Sequence, residues 1–374
     1  MIGLQALRGR LVEWLVAAAY PLWSRNGIDV RNGGFIEALG PHGDGLAQPR
    51  RARVHPRQIY AFAQGQGLGW QGDAAAIIGR GMDYFTAHYR RPDGLFRALV
   101  DADGTVLDDR ALLYDQAFAL LGFAAAATAL DARAEYEARA LELRHLIDVR
   151  LRAEDGSYLS DESSMDRRES NPHMHLLEAC LAWAQIGRDS GWATCARSIV
   201  DLALSRFIRQ DSGALGESYL ASWEPTPGIA GRIIEPGHQF EWAWLLLRCE
   251  NGHPVPLRPV ALRLIFIGDR FGVHNGVAIN ALYDDFTVKD ANARCWPQTE
   301  RLKAALLAAT LTGVPQYWSM AKAAATSLLP YLQTPVAGLW LDEQSPSGEL
   351  RESMAPASTF YHLVGAIAAL DHAL

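Results

Sequence analysis

Histidines and glutamates recur at helical spacing in this chain. His175 and Glu178 are three positions apart, and so are His238 and Glu241. Residues three apart lie on one face of a helix, so each glutamate can hydrogen-bond its histidine and shift its pKa. Histidine is suited to acid–base catalysis at neutral pH. One such pair alone is more often structural, but two pairs in matching contexts favour a catalytic site in which Glu241 holds His238.

The same residue types bind zinc and carboxylate-bridged metals, so a metal site is the alternative interpretation. However, the spacing of the H-E-x-x-H zinc motif is absent, and the four cysteines form no ligand pattern. A glycine-rich nucleotide loop is also absent from the sequence. We therefore expect no metal and no other cofactor. The cysteines indicate buried free thiols, which suit a reducing compartment.

Charge and hydropathy exclude several classes of partner. The net charge of −7 at pH 7 disfavours binding to nucleic acid or to an anionic membrane. No apolar run has the length of a transmembrane helix. Residues 8–19 resemble a signal peptide, but Glu13 interrupts their apolar stretch and the segment fits the helical repeat described next. We expect a cytoplasmic protein.

The elements that must position these residues follow a repeat of about sixty residues. Each unit begins at a glycine, and these are Gly34, Gly94, Gly156, Gly213, Gly276 and Gly338. A polar stretch and two apolar runs of helical spacing follow each glycine. The unbroken period predicts one all-α domain over residues 1–374, built from twelve helices in six hairpins.

The apolar runs form two sets. The first run of each unit covers residues 54–63, 112–130, 173–186, 237–249, 298–311 and 357–370. The second set covers residues 4–19, 74–89, 136–151, 192–207, 259–271 and 317–332. We expect these sets to be the inner and outer helices of a closed toroid. An open solenoid is the alternative, but it would need polar capping units, whereas the first and last runs are as apolar as the others.

Polar residues gather at the starts of the first runs, which would ring one mouth of the toroid. They are Arg57, Tyr114, Asn171, His175, His238, Glu241, Trp296, Glu300 and, on the last run, His362. Helix N-termini offer free N–H groups and positive potential to oxygen-rich ligands. Tryptophan in such a ring can stack on a sugar. His55 and His173 lack supporting context, and we predict structural or surface roles for them.

At these positions the chain resembles the N-acylglucosamine 2-epimerase superfamily nearly from end to end. Four segments carry the resemblance: Pro236-Gly237-His238 with Glu241-Trp242, Met174-His175 with Glu178-Ala179, Trp296-Pro297-Gln298 with Glu300, and Tyr361-His362. The resemblance implies an (α/α)6 barrel, metal-independent chemistry and a catalytic pair at His238 and His362. It also implies that Arg57, His175 and Glu241 contact the sugar or orient a catalytic residue, and it matches Arg232 to a sugar-contacting arginine.

This family chemistry removes the C-2 proton of an open-chain sugar and gives a cis-enediolate. Return of the proton to C-1 makes a ketose, whereas return to C-2 from the opposite face makes the epimer. The segments around Arg57 and Trp296 resemble mannose-isomerase-type members, so we expect mannose–fructose isomerisation, with 2-epimerisation of an N-acylglucosamine or another hexose as the close alternative. The expected partner is a monosaccharide, phosphorylated or not, and a homodimer is one possible assembly.

Two functions of other classes share the same expected barrel. A glycoside hydrolase would rely on paired carboxylates, for which Asp115 and Glu241 are candidates. A non-catalytic sugar-binding barrel would keep its aromatic lining and tolerate loss of the histidines. Neither alternative explains the presence of both His238 and His362.

Overall fold

The inner helices form a closed ring in the computed structural model, which describes residues 2–374; Met1 of the predicted domain lies outside them. The bounds of these helices are α3 Val54–Gly65, α5 Leu113–Ala129, α7 Ser170–Ile186, α9 Pro236–Cys249, α11 Cys295–Thr312 and α13 Ala357–Ala373. Each inner helix packs against the next, and α13 packs against α3. The expected closed (α/α)6 barrel is therefore confirmed, and the open solenoid is excluded.

The outer helices cover the ring from outside. Their bounds are α1 Ile2–Trp14 with α2 Tyr20–Asn26, α4 Ala74–Tyr89, α6 Arg133–Arg150, α8 Gly191–Leu202, α10 Arg258–Gly272 and α12 Pro315–Leu328. A π-helical turn joins α1 to α2, and another extends α8 to Phe207. Helix α4 shows how the sequence specifies these elements. Asp73 caps its first turn by accepting from the Ala76 N–H at 3.0 Å, and its apolar face, including Ile78 and Phe85, is buried.

All six repeat glycines make the same kind of turn at one end of the hairpins. Their φ angles lie between 71° at Gly34 and 97° at Gly338, a region that favours glycine. This common conformation explains why glycine marks the repeat.

A buried side chain from an inner helix clamps the residue after each of the first five turns. The backbone N–H after the turn donates to it at 2.7–3.1 Å in five pairs: Phe35 with His55, Phe96 with Gln116, Tyr158 with His173, Leu215 with Gln239, and Ala278 with Gln298. The Phe96 N–H, for example, would otherwise be buried without a partner, which is costly. The structural role predicted for His55 and His173 is confirmed by these bonds.

The loops at this mouth also contain short strands that the helical pattern did not reveal. They are β1 Ala38–Leu39, β2 Arg50–Arg51, β3 Leu99–Val100, β4 Val106–Asp108, β5 Arg167–Glu169, β6 Ser218–Leu220, β7 Ile233–Ile234, β8 Val273–His274, β9 Val277–Tyr283, β10 Val288–Arg294, β11 Glu343–Gln344, β12 Leu350–Arg351 and β13 Ala355–Pro356. The largest sheet has the order β12-β11-β10-β9-β7, and β8 also pairs with β9.

These strands fix where the inner helices begin. Strand β7 ends two residues before α9, and β10 runs directly into α11. Because both strands pair with β9, the starts of α9 and α11 are held side by side. Strand β1 pairs with β13 and so joins the first repeat to the last at the start of α13. Within residues 2–374, no helix has both the length and the apolar character needed to cross a bilayer.

Replacing Gln116 by Leu should lower the free energy of unfolding by about 1–3 kcal/mol, the usual cost of an unpaired buried polar group. Gln116 both accepts from the Phe96 N–H and donates to the Phe96 carbonyl, and Leu can do neither. Urea unfolding followed by circular dichroism measures the change. Gln71→Leu is the control, because Gln71 is exposed and should change stability by less than about 0.5 kcal/mol. Equal losses in the two variants would contradict the clamp.

Candidate active site

The mouth of the barrel holds a cavity of about 360 Å³. Its lining includes eight predicted site residues: Arg57, Tyr114, Asn171, His175, His238, Glu241, Trp296 and His362. They come from all six inner helices, because each helix begins at this end of the barrel. The first turns of the inner helices thus meet at one mouth of the barrel, as expected.

His238 is held by carboxylates that lie outside its own helical turn. Its Nδ1 is 2.9 Å from Glu217 Oε2 and 3.8 Å from Glu235 Oε2. Burial opposes protonation, but the negative charges of Glu217 and Glu235 outweigh it and raise the pKa of His238 to about 10. His238 is therefore an imidazolium at neutral pH, and it can act as a general acid.

The prediction that Glu241 holds His238 is wrong. Side chains on a helix lean toward its N-terminus, and His238 stands in the first turn of α9. Its ring therefore points back toward Glu235 and the Glu217 loop. Glu241, one turn further on, faces His175 instead, with 4.0 Å between Glu241 Oε1 and His175 Nδ1.

His362 has the opposite protonation state. Its Nδ1 lies 2.8 Å from Glu300 Oε1, and both side chains are buried. Burial lowers the pKa of His362 to about 4, and the Glu300 carboxylate only partly offsets that effect. A neutral imidazole that donates Nδ1–H to Glu300 leaves Nε2 free as a base. Glu300 thus contributes by orienting His362.

Trp296 stands between the two histidines. Its ring centroid is 5.3 Å from that of His238 and 5.5 Å from that of His362. The indole lies so close to Gly237 that a Cβ at that position would collide with it. The glycine before His238 therefore allows Trp296 to pack on α9. An indole face between an acid and a base is a suitable surface for a sugar ring.

Hydrogen-bonding groups form the opposite wall. Arg57 Nη1 donates to the Ser358 carbonyl at 3.2 Å, and its guanidinium also donates to the Tyr114 hydroxyl and lies 4.2 Å from the Phe118 ring centroid. Within residues 2–374, the buried Arg57 Nε and Asn171 Oδ1 have no hydrogen-bond partner. Both residues line the cavity, and polar side chains on the wall of such a cavity are suited to sugar hydroxyls.

A buried polar layer forms the floor. His175 Nδ1 lies 3.4 Å from Glu178 Oε2, as the H-x-x-E spacing predicts, and Tyr361 donates its hydroxyl to Glu178. Burial lowers the pKa of His175 to about 3, so this imidazole is neutral. Burial, with the nearby negative charge of Glu300, raises the pKa of Glu241 well above its usual value. Glu241 is then a carboxylic acid that can donate a hydrogen bond.

The expected sugar contact of Arg232 is wrong in this structure. Its Nε donates to Asp284 Oδ1 at 2.9 Å, and its Nη2 donates to Asp285 Oδ2 at 3.1 Å. The side chain is 47% exposed, and Arg232 does not line the cavity. The two aspartates follow β9, and the pairing of β9 with β7 brings them beside Arg232.

Four site residues were not found from the sequence: Glu217, Glu235, Lys303 and Asp342. Glu235 could have been found, because it lies one turn before His238 at the start of the same motif. Glu217 and Asp342 lie in loops and carry no helical spacing to a histidine. Asp342 lines the cavity and accepts from the Thr359 hydroxyl at 2.8 Å.

The floor contains two sets of side chains whose ligand atoms lie within 4.8 Å of one another. They are His175, Glu178 and Glu241, and Glu241, Glu300 and His362. The ammonium of Lys303 lies 2.8 Å from Glu300 Oε2 and close enough to Glu178 and Glu241 to interact with their charges. The chain itself thus supplies the positive charge that a cation would bring to these carboxylates.

Replacing Glu217 by Gln should lower the pKa of His238 from about 10, because the closest negative charge is lost while burial still opposes protonation. The pH range over which His238 stays protonated then shrinks at its alkaline end. An NMR titration of the histidine rings, with His238 assigned by its own substitution, measures the shift. Glu224→Gln, an exposed change in the same loop, is the control. An unshifted His238 in Glu217→Gln would contradict the assignment.

Known proteins resemble this chain in sequence and in fold. Residues 34–366 match the model of the N-acylglucosamine 2-epimerase (GlcNAc 2-epimerase) family. A mannose-6-phosphate isomerase of Rhizobium meliloti (strain 1021) is 44% identical over 382 residues, which cover 100% of this chain and 98% of that protein.

Two solved structures share the fold. A D-mannose isomerase has a TM-score of 0.89 at 21% identity over 97% of each chain. The cellobiose 2-epimerase from Spirochaeta thermophila DSM 6192 has a TM-score of 0.87 at 23% identity over 99% of this chain and 97% of that one. Likeness at this identity shows only the fold, but the family match and the 44% identical relative show more: this chain belongs to the N-acylglucosamine 2-epimerase family.

Proposed function

We propose that this protein is a sugar isomerase that interconverts mannose and fructose through a cis-enediolate. The observation that carries the proposal is the pair of histidines on one cavity, His362 neutral and His238 protonated. An aldose–ketose isomerisation needs a base for a carbon-bound proton and an acid for the oxygens, and this pair offers both. The names of the mannose-6-phosphate isomerase relative and the D-mannose isomerase fold neighbour support the same class of substrate.

In the proposed reaction, His362 Nε2 removes the C-2 proton of the open-chain aldose. The C–H electron pair forms the C-1–C-2 double bond, and the carbonyl electrons move to O-1. His362 then returns the proton to C-1, and the C-2 carbonyl forms as the O-2 proton passes to His238, which has already given its own proton to O-1. The proton lost by C-2 is therefore the proton gained by C-1, unless it exchanges with solvent on the imidazole.

His238 supplies the proton transfers at oxygen. As an imidazolium it donates to the ring oxygen during opening or to O-1 as negative charge develops there. Charge-stabilising donors of this kind are worth a few kcal/mol each. The guanidinium of Arg57 is a further donor group at the cavity wall. The Trp296 face and Asn171 Oδ1 would hold the sugar between these groups.

Epimerisation at C-2 is the second candidate, because the same pair could serve it. His362 would take the C-2 proton, and the imidazolium of His238 would deliver one to the other face. The hydrolase alternative has less support, because Asp115 is fully buried and its carboxylate is 2.9 Å from the guanidinium of Arg53. It is thus removed from the acid–base role that a pair with Glu241 would require.

One observation besides the name of the relative bears on whether the sugar is phosphorylated. Arg51 and Arg294 line the rim of the cavity, with side chains 42% and 37% exposed. Each is paired with a carboxylate, Glu37 for Arg51 and Glu235 for Arg294, so a phosphate would compete with those partners. Free mannose needs no such exchange, and we take it as the first substrate to test.

We further propose that residues 1–374 act as a single cytoplasmic catalytic domain. The closed ring of inner helices supports one domain, because the first and last repeats complete each other through β1 and β13. The four cysteines are free, which supports a reducing compartment.

In deuterated water with mannose, the wild-type protein should form fructose, labelled at C-1 to the extent that the proton on His362 exchanges with solvent, whereas an epimerase would form glucose labelled at C-2. The same assay with mannose 6-phosphate, compared by kcat/KM, tests the phosphorylated alternative.

His362→Ala and His238→Ala should each lower kcat by about 10²- to 10⁴-fold, with smaller effects on KM. His372→Ala, an exposed change on the same helix as His362, should keep wild-type turnover. Wild-type turnover in both of the other variants would contradict the two-histidine mechanism.

Exhaustive chelation should leave kcat unchanged, because Lys303 provides the cation of the floor and the two histidines provide the proton transfers. Turnover is measured before and after dialysis against a chelator, and then with Mg²⁺, Mn²⁺ or Zn²⁺ added back. Loss of activity that one metal restores would overturn the proposal of metal-free catalysis.

A further inference from the structure

Lys303 is a buried cation beneath the floor of the cavity. It lies on α11, one turn after Glu300, and its side chain is only 3% exposed. Its ammonium is 2.8 Å from Glu300 Oε2 and 3.8 Å from the ring centroid of Trp244. An ammonium is costly to bury unless it is paired, so this position needs an ionised partner.

Three buried carboxyl groups share this one ammonium. Glu300 touches it, and Glu178 and Glu241 lie within reach of its charge. Like charges held this close cannot all ionise in a buried site without a counter-charge. Glu300, which touches Lys303, is held as a carboxylate. Glu178 is also ionised, because its burial is outweighed by the hydrogen bond from His175 and the charge of Lys303, which lower its pKa to about 2. Glu241 takes the proton.

The ionised state of Glu300 has a consequence for His362. A carboxylate can only accept hydrogen bonds, so Glu300 Oε1, at 2.8 Å, requires a proton on His362 Nδ1. The other ring nitrogen, Nε2, is then without a proton. A protonated Glu300 would reverse this arrangement: it would donate to Nδ1, and His362 would carry its proton on Nε2.

We propose that Lys303 is a positioning residue for the isomerisation, because its ammonium keeps Glu300 ionised and so keeps Nε2 of His362 free to accept the C-2 proton. The expected effect on kcat rests on the proposed function, whereas the expected position of the proton on His362 does not. Lys303 does not line the substrate cavity, so its effect is on kcat through His362 rather than on sugar binding.

Other charged groups near His362 do not replace Lys303. Arg57, on α3, faces His362 but donates to the Ser358 carbonyl and the Tyr114 hydroxyl. His175, on α7, is neutral at neutral pH. Lys303 is thus the cation in contact with Glu300.

A second cavity, of about 890 Å³, reaches Lys303 from the far end of the barrel. Lys303 and Glu178 form part of its lining, together with Trp244, Arg248 and Tyr60. A small amine could therefore reach the position of the Lys303 ammonium without passing through the sugar site. This route allows a rescue experiment that separates charge from folding.

The first test reads the His362 ring directly and needs no sugar. In protein labelled with ¹⁵N-histidine, with His362 assigned by its own substitution, the neutral wild-type ring should carry its proton on Nδ1. In Lys303→Met, which keeps similar volume without the charge, the proton should move to Nε2, and in Lys303→Arg it should stay on Nδ1. A wild-type proton on Nε2 overturns the proposal even if no variant folds.

The second test reads turnover of whichever sugar the wild-type protein converts. Lys303→Ala should lower kcat by about 100-fold, the lower end of what a well-placed acid–base group contributes, with KM little changed. Ethylammonium or propylammonium should restore part of the loss, whereas propanol, neutral and of similar size, should not.

Arg301→Ala is the matched control. Arg301 is also a buried cation on α11, but its Nη2 lies 2.6 Å from Asp269, away from the histidines. Its loss should leave kcat and the His362 proton unchanged. Wild-type kcat in Lys303→Met, or a Lys303→Ala loss with an unchanged His362 proton and no amine rescue, would show a merely structural lysine. If the wild-type protein converts no sugar, the proposed function fails while the ring measurement still decides the role of Lys303.

Discussion

The whole arrangement depends on satisfying the backbone groups that the glycine turns bury. Each of the first five turns leaves a peptide N–H facing the protein interior, and a glutamine or histidine of an inner helix accepts from it. Such a bond cannot slip along the helix, so it fixes both the height of the helix and the place of the loop. Because the same loops carry Glu217 and the strands before α9 and α11, the clamps that stabilise the barrel also set the position of the active site.

Within that frame, local charge decides the role of each histidine. His238 and His362 face one cavity and are both buried, and burial alone would make both neutral. His238 lies beside Glu217 and Glu235, which stabilise its imidazolium. Beside His362, the negative charge of Glu300 is offset by the ammonium of Lys303, and the imidazole of His362 stays neutral. One residue type thus supplies an acid and a base, because neighbouring carboxylates differ in how far they are already neutralised.

The floor shows how a barrel can hold several carboxyl groups without an added ion. Glu178, Glu241 and Glu300 would repel one another strongly if all were ionised. Two features reduce that repulsion. The ammonium of Lys303, which contacts Trp244 and Glu300, adds a positive charge, and a proton on Glu241 removes a negative one. The resulting layer separates the sugar cavity from the cavity at the far end, so the interior of the barrel is divided into two compartments.

The sequence by itself determined the six hairpins, the inner and outer helices and the convergence of His238, His362, Arg57 and Trp296. Periodicity and glycine turns are local, so spacing reveals them without knowledge of the fold. Only the tertiary structure decided which charges meet. Helical spacing allowed Glu241 to hold His238, but the lean of the His238 side chain toward the helix N-terminus gives that bond to Glu217, 21 residues earlier in a loop. Arg232 pairs with two aspartates instead of the sugar site, because strand pairing places them beside it. A contact between distant segments does not appear as regular spacing in the sequence.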